Sequence, residues 1–289
     1  MPTAPAPATR AFRFAQFEVP WAIGPADGRY VLRPHAGEAP THVIVIATLG
    51  APQRRLLRRR RPRRVDPAPA VAPVPVTRAT VIDAEALPGE REAARWLHDV
   101  DAEGFATGAL AVLNRVVAAH RIAAAEPGAR DVTRPQALAV RVGFGYGEEV
   151  ADGRHRAAVE LPAGGAGRRS EALRSQERLA ALLGGRDVAP AAEELAQRAR
   201  VDLAGGRSRL AAFGLVAGLD AALAELVPWQ DRGDMAKRID ELRRLRPEAQ
   251  AVAARALEGG LDAAEEAVVD RVLGRLEAAM RARVALGFD

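Results

Sequence analysis

A glycine-rich stretch, Pro162 to Arg169 (PAGGAGRR), divides this sequence into two kinds of hydrophobic pattern. Before it, short β-branched or aromatic runs alternate with turn residues. After it, every apolar stripe has helical spacing. Strand-type and helix-type patterns kept apart in this way predict an α+β fold. The expectation is an N-terminal mixed β-sheet of about five strands with two helices, followed by an α-helical C-terminal region. Residues 1–10 are rich in Pro and Ala and are expected to form a disordered tail. The α+β domain is assigned to residues 11–162 and the helical region to 170–289.

The strand candidates in the first half are Ala11–Val19, Arg29–Arg33, His42–Leu49, Thr77–Asp83 and Gln136–Val142, with Arg156–Leu161 a weaker strand or helix. In the first, Phe12 and Phe14 alternate, and Phe17 and Val19 continue in the opposite phase. A bulge or bend near Gln16 would reconcile the two phases. Helices are expected at Glu90–Val100 and Thr107–Ala125, the second with Leu110, Leu113, Val117 and Ile122 along one face.

In the second half, Ser170, Ser208, Asp234 and Asp262 are candidate N-caps. Pro190 and Pro247 are candidate helix starts. The stretch from Ser208 to Val227 is apolar nearly all round, with Gly214 and Gly218 as small contact points, and suits the centre of a bundle. No run of about 18 uncharged apolar residues occurs, so no membrane partner is expected. With no cysteine and no recognisable leader, the reading is a cytoplasmic protein.

One segment stands apart in charge. Residues 54–64, RRLLRRRRPRR, hold eight arginines and no acid: Arg54, Arg55, Arg58, Arg59, Arg60, Arg61, Arg63 and Arg64. The whole chain carries a net charge of +5, and without these eight arginines the remainder carries −3. Only Lys237 among the basic residues is a lysine, as a GC-rich coding sequence would give. Codon bias raises arginine content everywhere, but it does not gather eight arginines away from every acid. Prolines at 67, 69, 73 and 75 follow and favour an extended polyproline arm. The Arg/Pro-rich insertion at 51–76 therefore lies between two strand candidates.

Guanidinium forks match phosphate oxygens, and each phosphate neutralised releases counterions. The leading reading is a non-enzymatic binding or assembly protein whose arginine-rich loop contacts nucleic acid or another polyanion. An acidic protein surface and a merely solvated loop are the competing readings of the same segment. A scaffold forming a homo-oligomer through its C-terminal helices, and an enzyme with a cleft between the two halves, are the alternatives for the whole chain.

Catalytic signatures are lacking in the sequence, and the reading leans away from an enzyme. GFGYG at 143–147 departs from the dinucleotide fingerprint in its glycine spacing, and acids Glu148, Glu149 and Asp152 follow it. It is read as a strand end or turn, and no cofactor is assigned. The histidines at 35, 42, 98, 120 and 155 are scattered, and His98 with Asp99 and Asp101 makes the densest group. Helical neighbours one residue apart point in different directions, so no metal site is assigned. Ser170, Ser175 and Ser208 fit caps or surface positions better than nucleophiles, since no GxSxG elbow is present.

Overall fold

The computed structural model describes residues 10–50, 75–162 and 169–287, the side chains of 169–174 excepted. The candidate linker residues 163–168, most of the Arg/Pro-rich insertion (51–74) and residues 1–9 fall outside that set. The chain divides into two compact units, Met1–Gly165 and Ala166–Asp289. The first is built on a sheet and the second is helical, so the fold class is α+β.

The sheet has six strands: β1 (Ala11–Val19), β2 (Gly28–Leu32), β3 (His42–Leu49), β4 (Val76–Leu87), β5 (Ala139–Tyr146) and β6 (Ala157–Leu161). Their spatial order is β2-β3-β4-β1-β5-β6, and every pairing among them is antiparallel. The mixed sheet expected from sequence is corrected here. Strands β2, β3 and β4 are consecutive antiparallel neighbours, as are β5 and β6. Strand β1 inserts between β4 and β5, antiparallel to both. Chain direction is thus the same in β4 and β5, and their connection must cross over β1. Two helices, α1 (Glu90–Asp99) and α2 (Ala102–Ala123), make that crossing.

Strand β1 is buried on both faces. Ala15, Phe17 and Val19 face α2, together with Ile44, Val81, Val140 and Val142, and meet Ala106, Ala109, Leu113 and Val117. Phe14 faces the other way, with Val45 and Ile82, against Val150 of a short helix, α3 (Gly147–Ala151). Fully burying a Phe side chain contributes about 1.5–3 kcal/mol, so both aromatic anchors matter to the sheet.

Strand β1 alternates without a slip: Phe12 and Phe14 lie on the α3 face and Phe17 and Val19 on the α2 face, so the change of phase marks burial on both faces. The β1–β4 pairing does carry a bulge. Phe12 pairs with Ala86 but Phe14 pairs with Ile82, so Arg13 alone opposes Asp83, Ala84 and Glu85. Arg13 spans the bulge, bonding to Asp83 at 2.7 Å and Glu85 at 2.9 Å. The irregularity therefore sits at Arg13, on the partner strand, rather than near Gln16. Gln16 keeps regular register with Thr80 and Arg141.

Helix α2 begins at Ala102, earlier than expected, because the Asp101 carboxylate accepts a hydrogen bond from the Gly104 amide. Its buried stripe is Ala106, Ala109, Leu113 and Val117, and Ile122 is 82% exposed. Nine residues separate Leu113 from Ile122, a rotation of about 180° at 3.6 residues per turn. Ile122 thus belongs to the face opposite the one expected from sequence.

The helical unit comprises α4 (Arg169–Leu183), α5 (Ala191–Ala204), α6 (Ser208–Glu225), α7 (Met235–Glu258) and α8 (Ala263–Ala285). Helices α5 to α8 share one buried cluster that includes Leu215, Leu219, Met235, Ile239, Leu242, Leu273 and Leu276. Close approach of α5 and α6 is set by small residues. A methyl group on Gly214 would sit 3.3 Å from the Ala199 Cβ, and one on Gly218 would sit 3.4 Å from the Leu195 Cβ.

Pro247 does not start a helix. It lies inside α7, where Ile239, Leu242, Ala249, Val252 and Ala256 stay in phase across it. A proline inside a helix costs about 3 kcal/mol, and a buried stripe continuous on both sides outweighs it. Ser208 sits inside the first turn of α6 after the cap residue Arg207, and Asp234 pairs with Arg238 at 2.8 Å instead of capping α7 with its side chain. Asp262 and Glu265 form the expected capping box of α8.

A buried ion pair closes one corner of this unit. Asp187, in the loop after α4, accepts a hydrogen bond from Arg283 of α8 at 2.8 Å and from Arg178 of α4 at 3.3 Å. The Arg283 guanidinium also lies 4.9 Å from the centre of the Trp229 ring. Burial alone would push Asp187 up, but the bond and charge of Arg283, with Arg178 and the Val188 amide, hold its carboxyl below the usual range. The stabilisation this gives is complete above the ordinary Asp value and is lost as pH falls through the depressed folded value. Asp187→Ala leaves Arg283 buried without a carboxylate, and should cost the helical unit about 3–5 kcal/mol in a denaturant titration.

Candidate functional site

The eight arginines of the predicted polyanion site, Arg54, Arg55, Arg58, Arg59, Arg60, Arg61, Arg63 and Arg64, lie outside the described residues. Their points of attachment are described. Leu49, the last residue of β3, pairs with Val76, the first of β4. The segment between them leaves and re-enters the sheet at the same end of two neighbouring strands. Thus the sheet fixes both ends of the arginine-rich segment side by side.

The surroundings of that end can be built from the sequence upward. Trp21 follows β1, and its carbonyl accepts a hydrogen bond from the Thr77 hydroxyl at 2.7 Å. This bond fixes Trp21 beside the start of β4. The Arg130 guanidinium sits 5.4 Å from the centre of the Trp21 ring, within range of a cation–π contact. Trp21, Gly24, Glu126, Gly128 and Arg130 border a cavity of about 280 Å³. His120 forms part of the same neighbourhood, 3.1 Å from Glu126 and so close to Gly24 that a Cβ there would meet its ring at 2.7 Å.

Arg78, two residues into β4, is opposite Glu18 in the register. Glu18 bonds instead to Arg141 at 2.9 Å, and Arg141 also reaches Glu160 at 3.0 Å and Gln16 at 3.3 Å. Arg78 turns to the Asp152 carbonyl at 3.1 Å. Among the described residues, neither Arg78 nor Arg130 meets a carboxylate. Two cations without acid partners therefore flank the strand ends that carry the arginine segment. The Trp21–Arg130 pair has no sequence signature, because 109 positions separate two residues that only the fold brings together.

The GFGYG glycines serve packing. The chain between β5 and β6 folds back over the face of the sheet, and glycines let it lie close. A Cβ on Gly143 would come 2.2 Å from the Ala157 carbonyl oxygen, and one on Gly145 would come 2.6 Å from Val150. Only Gly147 in this motif has the positive φ expected of a turn, at 43°. Of the acids that follow, Glu148 pairs with Arg29.

The five histidines do not converge. His155 lies against Phe14, and His98 is in the last turn of α1, whereas Asp101 caps α2. Among the described residues, no group of three His, Asp or Glu side chains is arranged to hold a metal ion. A surface cluster that sequence reasoning missed joins Glu90, Tyr146 and Arg156, with Arg156 bonded to Glu90 at 2.6 Å. Arg156 foremost, and then Tyr146, hold the Glu90 carboxyl below its usual range. No helix among the described residues is long and apolar enough to cross a membrane.

Comparison with known protein families, with curated proteins and with solved structures gives no match.

Gly143→Ala tests the packing role of the glycine motif. It should destabilise the sheet unit by about 1–3 kcal/mol through overpacking, read from a denaturation midpoint. His42 provides a second check, on pH. Burial and the nearby Arg115 charge lower its pKa, against a raising effect from Asp83. The unfolded chain then binds more protons than the folded one as pH falls through the ordinary histidine value. Stability of the sheet unit should decline over that window, and His42→Gln should flatten the decline in a pH series of thermal melts.

Proposed function

We propose that this protein is a non-enzymatic binding or assembly protein whose arginine-rich segment contacts nucleic acid or another polyanion. The observation that carries the reading is charge segregation. Eight arginines fall within residues 54–64 without an acid, on a chain whose remainder carries −3. Elsewhere in the chain, arginines are widely matched to acids: Arg13, Arg141, Arg178 and Arg200 each bond to two carboxylates.

Support also comes from the attachment points. Both ends of the segment join neighbouring strand termini, Leu49 of β3 and Val76 of β4. Arg78 and Arg130 lie near those ends, alongside one acid, Asp27, which the Thr48 hydroxyl holds at 2.8 Å. The interaction is electrostatic and reads no sequence by itself, so the class of partner is a phosphate backbone or a comparable anionic polymer.

The test is the salt dependence of binding to generic duplex DNA and to single-stranded RNA, measured by fluorescence anisotropy. The affinity of the intact chain should fall steeply with salt. Replacing Arg58, Arg59, Arg60 and Arg61 with Ala should flatten the log–log slope on duplex DNA by about 0.9 for each phosphate that is no longer neutralised. An affinity that is indifferent to salt, or equal in the four-alanine variant, would overturn the reading.

A further inference from the structure

Helix α4 meets the rest of the helical unit differently from its neighbours. Helices α6, α7 and α8 each place large apolar side chains in the shared cluster: Leu215 and Leu219, Ile239 and Leu242, and Leu273 and Leu276. None of the described side chains of α4 enters that cluster. From Ser175 onward, Ala181 is buried, Arg178 and Leu182 are partly buried, and the others are exposed. Leu179 and Leu183 are 55% and 81% exposed. A cleft of about 1060 Å³ separates part of α4 from α5 and α8.

Two sets of contacts tie this helix down, and they differ in place. The first lies behind its C-terminal end. The Arg186 and Asp187 amides both donate to the Ala181 carbonyl, at 2.9 and 3.2 Å. Asp187 in turn accepts from Arg283 of α8 at 2.8 Å, and both side chains are more than nine-tenths buried. The last turn of α4 is therefore pinned to α8. The second set belongs to Arg178, one turn earlier. Its guanidinium forks onto both carboxylate oxygens of Glu193, in the first turn of α5, and reaches Asp187 at 3.3 Å. This arginine joins the body of α4 to α5.

Apolar burial and an ion pair respond differently to their surroundings. A partly buried pair gains little net stability, since desolvation offsets its attraction, and salt weakens it further. The cluster shared by α5 to α8 has no such dependence on charge. A released helix of 15 residues is also marginal by itself in water, so undocking loosens its backbone bonds.

We propose that α4 is a charge-latched strap, which releases from α5 while α5 to α8 stay folded. The Arg178–Glu193 pair is the latch, and the Asp187–Arg283 pair is the fixed point behind it. Opening frees a guanidinium and a carboxylate together, so ionic strength sets how often it occurs. The device is independent of the arginine-rich segment and of polyanion binding.

Hydrogen exchange of the full chain, followed residue by residue by NMR, tests the latch. Amides of Leu179 to Leu183 should exchange faster than those of Leu215 to Leu219 in α6, by about tenfold or more. They should also respond less to low concentrations of urea, because undocking exposes less surface than unfolding does. Leu219→Ala weakens the core whether α4 is latched or released, so it should speed exchange in α6 and leave α4 unchanged. Glu193→Gln should speed exchange in α4 about tenfold, the magnitude of one charge-assisted hydrogen bond. Glu194→Gln removes an equal charge from the same turn of α5, and should leave α4 exchange as it was. If a variant fails to fold, the urea dependence of the native chain still decides. Equal protection and equal urea response in α4 and α6, the two moving together in Leu219→Ala, or α4 exchange unchanged in Glu193→Gln or matched by Glu194→Gln would each overturn the proposal.

Discussion

Everything in the sheet unit depends on β1 being apolar on both faces. Phe17 and Phe14 point in opposite directions, one into the α1–α2 layer and one under α3. A strand with two buried faces has to be central, and its neighbours must then be covered on both sides too. One side receives the helical crossover. On the other side the β5–β6 connection folds flat over the strands. That second cover works because Gly143 and Gly145 carry no Cβ where α3 and the backbone of β6 press against them. Regular alternation lets one strand serve both layers, and Arg13 clasps the bulge at Asp83–Glu85 of its neighbour.

Much of this is legible in the sequence. The positions of the strands, the two-phase pattern of β1, the capping box at Asp262 and the central character of α6 all follow from local residue patterns. What is not legible depends on partners distant along the chain. The two phases of β1 read as a bulge, but they mark a strand buried on both faces, and the bulge itself belongs to β4 opposite Arg13. Antiparallel pairing throughout depends on β1 inserting between β4 and β5, which is a property of topology. Pro247 reads as a boundary because its local cost is clear. The packing that overrides this cost comes from helices elsewhere in the fold. At the candidate sites, the arginine run is visible as composition alone. The Trp21–Arg130 pair arises only from tertiary contact.

Charge is handled differently in the two units. The helical unit directs arginines inward or across helices, where Arg178, Arg200 and Arg283 bond to acids and tie neighbouring elements together. Such pairs fix geometry more than they add stability, because desolvation offsets much of their attraction. In the sheet unit, Arg13 and Arg141 play the same bridging part, whereas Arg78 and Arg130 stay free of acids among the described residues. An arginine-rich composition thus splits into structural arginines with assigned partners and a contiguous group in the sequence that has no acid beside it.

The wiring of the sheet also has a consequence in time. Gln16 of β1 bonds to Thr80, 64 positions later, and is reached by Arg141, 125 positions later. The first strand of this sheet to leave the ribosome is therefore among the last to be enclosed on both edges. Until β5 has been synthesised, an aromatic strand waits with one edge open, and closing such distant pairs is slow compared with forming a helix. A chain of this design places its greatest demand on protection from premature association between the synthesis of β1 and that of β5, before the helical unit exists to fold.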